Sequence, residues 1–298
     1  MQTMLSEIAV TTSFVHHQTY KEIKEDGHPI IIISAIDIVQ VVQLGKDFLT
    51  EEELMEADFE PPVITLNGPE HVNLYAGDPY EEQGAKAEDA QDGAVVVDTG
   101  GGNFNTNSLG NYEVNYYAQD RFGNSSSATR YVNVIHPNAR LLTFKTNNDS
   151  VSVVDCNSSV SGDLIIPSSW EGKPVTSIDE SAFEDCKELA NLTIPISVTS
   201  IGDKAFFNCT NLTHLTVPDY ANWNEISITI PGGVTYLGVS AFSHCASITS
   251  VRIMGTSIGS AGFESCGALE YVSIGDDVES IGDKSFTKCK SLAIVRFT

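Results

Sequence analysis

Residues 179–195 read DESAFEDCKELANLTIP, and the pattern inside this stretch returns four more times before Thr298. A Phe followed three positions later by Cys stands at Phe183/Cys186, Phe206/Cys209, Phe242/Cys245, Phe263/Cys266 and Phe286/Cys289. Successive Phe residues are 23, 36, 21 and 23 positions apart, so the second step reads as one period plus a 13-residue insertion. Six residues after each Phe stands Leu189, Leu212, Ile248, Leu269 or Leu292, and eleven after it Ile194, Val217, Ile253, Ile274 or Phe297. Five before it stands Ile178, Ile201, Leu237, Ile258 or Ile281. Several apolar columns in register at one period describe a solenoid, in which each turn buries its face against the next.

Within each turn, Leu189-x-x-Leu192-x-Ile194 repeats as Leu212/Leu215/Val217, Ile248/Val251/Ile253, Leu269/Val272/Ile274 and Leu292/Val295/Phe297. This is a leucine-rich-repeat core with one short parallel strand per turn. Gly202, Gly238, Gly259 and Gly282 follow a second extended segment, where positive φ at a tight corner would suit glycine. With Ile-Pro at 166–167, 194–195 and 230–231, residues 141–298 closely resemble the BspA-type leucine-rich repeats of microbial surface proteins. The run DLIIPSSWEGKPVTSIDESAF resembles that family's opening turn, with Asp179 in the glycine column.

Upstream, residues 62–136 form a β-sandwich pattern. Short runs such as VITL, HVNLYAGD, AVVVD and ATRYVNVI are separated by Gly, Asp and Asn turns. In NYEVNYYA, Tyr112, Val114 and Tyr116 alternate with Glu113, Asn115 and Tyr117, as in a half-buried strand. PPVITLNG, VNLYAGDPYEEQGAKAEDAQDG and GNYEVNYYAQDRFGN closely resemble the bacterial surface immunoglobulin-like family, whose members serve as spacers or adhesive modules. Pro137-Asn138 gives a short, stiff junction to the repeats over 139–298.

The first 60 residues differ. IAVTTSFV and HPIIIISA read as strands, HHQTYKEIKEDG and IDIVQVVQLGKD as helices, an incomplete α/β segment over 1–46. An acidic linker follows over 47–61. Residues 8–46 resemble the last strand–helix–strand–helix of PD-(D/E)xK restriction endonucleases. Glu22-Ile23-Lys24 spells E-x-K, but a helical placement would remove it from the strand on which that family builds its metal site. The expected fold class is therefore multidomain and mainly β: a short α/β segment, an Ig-like sandwich and a leucine-rich solenoid.

The 16 basic and 40 acidic residues leave a net charge of −24. Residues 1–60 hold 3 basic against 12 acidic, 61–138 hold 3 against 10, and 139–298 hold 10 against 18. No basic stripe exists to neutralise phosphates, so no nucleic-acid partner is expected. The apolar run Ile30–Val42 is interrupted by Asp37 and too short to span a bilayer. Extracellular or cell-surface placement follows from the two resemblances. The N-terminus lacks signal-peptide features, and the chain is read as a fragment.

Five of the six cysteines occupy one column, which suits small buried residues better than disulfides or metal ligands. Glu88, Asp89, Asp92 and Asp120 could offer oxygens to Ca²⁺, or be solvated turn carboxylates. No catalytic constellation, cofactor motif or zinc spacing is present, so no enzyme, cofactor or metal is expected. Binding is expected instead on the outward strand face. Thr193, Thr216, Arg252, Ser273 and Arg296 form one column there, and His214 and Tyr271 belong to the next. The partner is a protein or glycan ligand on the repeat face, with a neutral face held up by stacking alone as the plainer reading. The rival function, a defence nuclease carrying recognition modules, would need the catalytic strands absent from this sequence.

Overall fold

The structure is a computed structural model that describes residues 21–25, 28–35, 38–40, 58, 60–218, 227–255 and 257–298. It forms two compact units, residues 1–60 with 121–124 and residues 61–120 with 125–298.

In the first unit, β1 (Lys21–Glu25), β2 (His28–Ala35) and β3 (Ile38–Gln40) make an antiparallel three-stranded sheet. This corrects the helices expected over 16–27 and 36–47 at residues 21–25 and 38–40; the rest of both stretches lies outside the described residues. Glu25 pairs with His28, and the two residues between them in the sequence, Asp-Gly, spell a strong hairpin dipeptide. The run from Ile30 to Val42 is dominated by β-branched residues, which favour extended backbone. The helical argument against Glu22 and Lys24 falls with the helix, because both lie on β1. The strand expected at 8–15 and most of the acidic linker lie outside the described residues.

The second unit opens with two small sheets. β4 (Val63–Leu66), β6 (Ala85–Asp89) and β7 (Gly93–Val95) pair in one. β5 (His71–Tyr75), β10 (Ser125–Ile135), β9 (Gly110–Gln119) and β8 (Val97–Gly100) pair in that order in the other. Val114, Tyr116 and Val132 centre their core, and the alternation read for residues 112–117 holds. Arg130 is fully buried at 1 % exposure. It donates to the carbonyls of Pro69 and Asn67 at 3.1 and 2.7 Å, to the Tyr116 hydroxyl at 2.7 Å and to the Glu82 carboxylate. A buried guanidinium is tolerated because its donors are satisfied and its charge is paired.

β10 passes through a 3₁₀ turn, Pro137–Leu141, straight into the solenoid. Ile135 and Ala139 already belong to the solenoid's core cluster, and Tyr75 packs against it. The stiff junction expected at Pro137-Asn138 is thus a packed one. Arg140 completes it, placing its guanidinium 2.6 Å from both carboxylate oxygens of Asp78 and 4.5 Å from the Tyr75 ring centroid.

The solenoid winds between two mostly parallel sheets. One contains β11 (Leu142–Thr146), β12 (Val151–Cys156), β15 (Lys173–Ile178), β17 (Ser200–Ile201), β20 (Tyr236–Leu237), β22 (Ser257–Ile258) and β24 (Ser280–Ile281), with β14 (Ser169–Trp170) beside β15. The other runs β13 (Gly162–Ile165), β16 (Leu189–Thr193), β18 (His214–Thr216), β19 (Ile228–Ile230), β21 (Ser250–Ile253), β23 (Tyr271–Ile274) and β25 (Ile294–Phe297). Between the sheets the Phe rings stack at 5.0, 4.8, 5.2 and 5.7 Å from Phe183 to Phe286. The 4.8 Å contact spans the 36-residue step, so the insertion leaves the Phe column undisturbed. It adds β19 to the second sheet instead.

The glycine column has a different cause from the one expected. None of Gly202, Gly238, Gly259 and Gly282 has positive φ. A Cβ at these positions would instead come within 2.4–2.5 Å of the backbone of the preceding turn, which fixes glycine by close approach. Left-handed backbone falls two residues before and two after each Phe, at Ser181/Asp185, Lys204/Asn208, Ser240/His244, Ala261/Ser265 and Lys284/Lys288.

Candidate functional site

The outward positions of the second sheet were the candidate site, and strand pairing decides which of them are neighbours. Thr193 lies opposite Thr216, and Asn191 opposite His214. The next rung is β19, because Leu215 pairs with Ile228. Ser227 and Thr229 therefore stand between the His214/Thr216 rung and the Ser250/Arg252 rung. Beyond them, Arg252 pairs with Ser273 and Ser273 with Arg296, while Ser250 pairs with Tyr271. Rungs are about 4.8 Å apart. His214 and Tyr271 are thus three rungs apart, one more than the periods alone implied.

This extra rung was missed in the sequence, although its signal was present. Leu192-Thr193-Ile194-Pro195 recurs as Ile228-Thr229-Ile230-Pro231, hidden inside a stretch counted as insertion.

Burial divides the face in two. His214, Thr216 and Arg296 are exposed, and Thr193, Arg252 and Tyr271 are half-buried. Ser273 is completely buried at 0 % exposure, and Thr229 and Ser227 are buried two rungs away at β19. The expectation of one extended open surface is corrected. Ser273, whose hydroxyl lies 3.3 Å from that of Thr298, is not available to a ligand.

The open part is a connected polar patch on β13, β16 and β18. Asn191 Nδ2 donates to Asp163 Oδ1 at 2.6 Å. Asn191 Oδ1 accepts from the Thr213 hydroxyl at 3.2 Å and lies 3.1 Å from His214 Nδ1. The Thr193 and Thr216 hydroxyls meet at 3.1 Å. Residues from three consecutive rungs hold one another in place, so a partner would meet side chains already ordered. The patch offers one carboxylate, amides, hydroxyls and an imidazole, a set suited to recognition.

The column cysteines are free and do more than fill space. Cys209 donates to the Phe183 carbonyl at 3.0 Å, Cys245 to Phe206 at 3.0 Å, Cys266 to Phe242 at 3.1 Å and Cys289 to Phe263 at 3.1 Å. Each thiol satisfies a carbonyl of the turn before it. Burial pushes Cys209, Cys245 and Cys266 above the ordinary thiol range, which keeps them protonated and unreactive.

Of the acidic loop, Asp89 and Asp120 are buried at 8 % and 7 % exposure, with carboxylate oxygens within 4.8 Å of each other. The solvated-turn reading therefore fails for these two. Asp89 Oδ1 accepts from the backbone N–H groups of Gln91 and Asp92 at 2.8 and 2.9 Å, which closes the β6–β7 turn. Among the described residues no helix is long and apolar enough to cross a membrane.

The sequence model of the bacterial surface protein Ig-like domain matches residues 64–134. That of the BspA type leucine rich repeat region matches 163–227 and 219–298, in six copies. No curated protein matches the chain. Among solved structures, a leucine-rich repeat protein of T. pallidum is 22 % identical over 52 % of this chain and 89 % of its own, with a TM-score of 0.38. One from Bacteroides ovatus is 27 % identical over 52 % of this chain and 39 % of its own, at 0.40. A leucine rich cell surface protein of Faecalibacterium prausnitzii is 23 % identical over 53 % of each chain, at 0.35. The chain thus spans less than two thirds of the last two. Residues 64–134 are a bacterial surface protein Ig-like domain, and residues 163–298 are a BspA-type leucine-rich repeat region.

Proposed function

We propose that this chain is a non-catalytic interaction protein of a bacterial surface, in which the Ig-like domain presents the solenoid and the solenoid binds a protein ligand. The carrying observation is the ordered patch of Asp163, Asn191, Thr193, His214 and Thr216 on the outward strand face. Its side chains belong to no core column, and three rungs hold them in register through side-chain hydrogen bonds. Arg252, Tyr271 and Arg296 sit farther along the face and extend the contact for a larger partner, since aromatic and Arg side chains often anchor interfaces. Both matched families are non-enzymatic domains of surface proteins.

The test uses the full chain immobilised against a panel of purified extracellular-matrix and bacterial surface proteins. For the protein that binds, a His214→Ala/Thr216→Ala double variant should weaken affinity about tenfold or more with the melting temperature unchanged. Phe242→Ala should instead unfold the solenoid, at a cost of about 3–5 kcal/mol. Unchanged affinity in the surface variant would remove the patch from the binding site.

A further inference from the structure

The four-stranded Ig sheet carries a second constellation, unrelated to the strand-face patch. Parallel pairing of β10 with β5 sets Tyr131 opposite His71 and Asn133 opposite Asn73. Antiparallel pairing with β9 sets Asn111 on the other side of Asn133. Residues two apart on a strand share a face, so an aromatic pair lies beside a row of three amides. The His71 and Tyr131 rings stack at 5.0 Å and 14°. The facing wall comes from the first solenoid turn, through Ser169 and Gly172. Gly172 has φ +75°, and a Cβ there would come within 2.6 Å of the His71 ring. A side chain there would strain the backbone and push the His71 ring aside. Between the walls is an open groove of about 210 Å³.

Hydrogen bonding across this groove is incomplete in a specific way. Asn133 Nδ2 donates to Asn73 Oδ1 at 3.3 Å and to Ser169, whose carbonyl lies at 3.1 Å and hydroxyl at 3.4 Å. With both hydrogens used, Asn133 keeps Oδ1 as an acceptor and Asn73 keeps Nδ2 as a donor. The Asn111 amide offers one of each. These groups have no other side-chain partner among the described residues. No Lys, Arg, Asp or Glu lines the groove.

A neutral wall with matched donors and acceptors suits groups that donate and accept at once, which is the property of hydroxyls. The aromatic pair suits an apolar C–H face lying beside those hydroxyls. A strand-adding peptide fits poorly, because the amides stand on a sheet face rather than along a free edge. Anionic sugars would find no Lys or Arg along the groove. We propose that this groove binds a neutral saccharide, one pyranose ring at a time.

Saturation-transfer NMR on the full chain tests this, using methyl glycosides of glucose, galactose, mannose and N-acetylglucosamine, with N-acetylneuraminic acid as the anionic arm. At least one neutral glycoside should bind. Tyr131→Ala and Asn111→Ala should each weaken it about tenfold, while His214→Ala/Thr216→Ala leaves it unchanged. Both groove residues are exposed, so thermal melts of these variants should match the parent. Asn73→Ala supplies a third variant should Tyr131→Ala melt lower. Absence of binding by every neutral glycoside would overturn the proposal. So would preference for the anionic sugar, or binding indifferent to all three groove variants.

Discussion

Gly238 has no room for a side chain, since a Cβ would lie 2.4 Å from backbone atoms of Gly202 and Asp203. Ala261 shows the opposite mismatch: its φ is +56°, a conformation that costs any residue with a Cβ. The two positions predict opposite signs in one experiment. Gly238→Ala should destabilise by about 1–3 kcal/mol through overpacking, and Ala261→Gly should stabilise by up to about 1 kcal/mol. Chemical denaturation of both variants checks the pair. The column thiols give a pH signature at the same scale. Their pKa values are raised by burial in the fold, so their contribution is complete below the unfolded thiol value of about 8.5 and is lost as pH rises above it. Denaturation midpoints measured from pH 7 to 10 should fall at the alkaline end, and less so in Cys245→Ala after correction for the cavity. Native labelling at pH 8 should be slow at Cys209, Cys245 and Cys266, and complete in denaturant.

Among the elements, β10 is the one on which the most structure converges. Its Arg130 joins the core of the Ig-like domain to the 67–84 segment through Asn67, Pro69 and Glu82. Burial alone would raise the Glu82 carboxyl. Hydrogen bonds from Tyr116, Tyr80 and the Gly84 N–H, with the Arg130 charge, outweigh it and hold the carboxyl below its ordinary value. The resulting stability is present above about pH 4.3 and lost as pH falls through the lower folded value. Acid titration followed by near-UV circular dichroism should show Glu82→Gln already destabilised at pH 7 and flatter than the parent below pH 4. The repeat register, the sandwich strands and the alternation of 112–117 were all legible, because one-face burial writes its period into the sequence. The N-terminal strands were not, since Glu and Lys in Lys21–Glu25 favour helix locally and only pairing with β2 makes the segment a strand. β19 escaped because its neighbours broke the period. The groove residues had no signal at all: they come from four separate segments, brought together by sheet pairing and the packed junction.

For the molecule as a whole, the Ig-like domain and solenoid share a core through Ile135, Ala139 and Tyr75. A ligand held on the first solenoid rungs is therefore presented on a stiff support, with the second candidate groove at the base of the same turns. The outward face is open where Asn191, His214 and Thr216 lie and closed where Thr229 and Ser273 lie, so a partner should engage it unevenly. Hydrogen–deuterium exchange of the full chain, with and without the protein ligand that the binding panel identifies, measures this directly. The account predicts new protection in peptides covering residues 189–193 and 213–216, with little change in those covering residues 280–293. Protection confined to residues 280–293, or to the Ig-like strands with residues 189–216 unaffected, would contradict it.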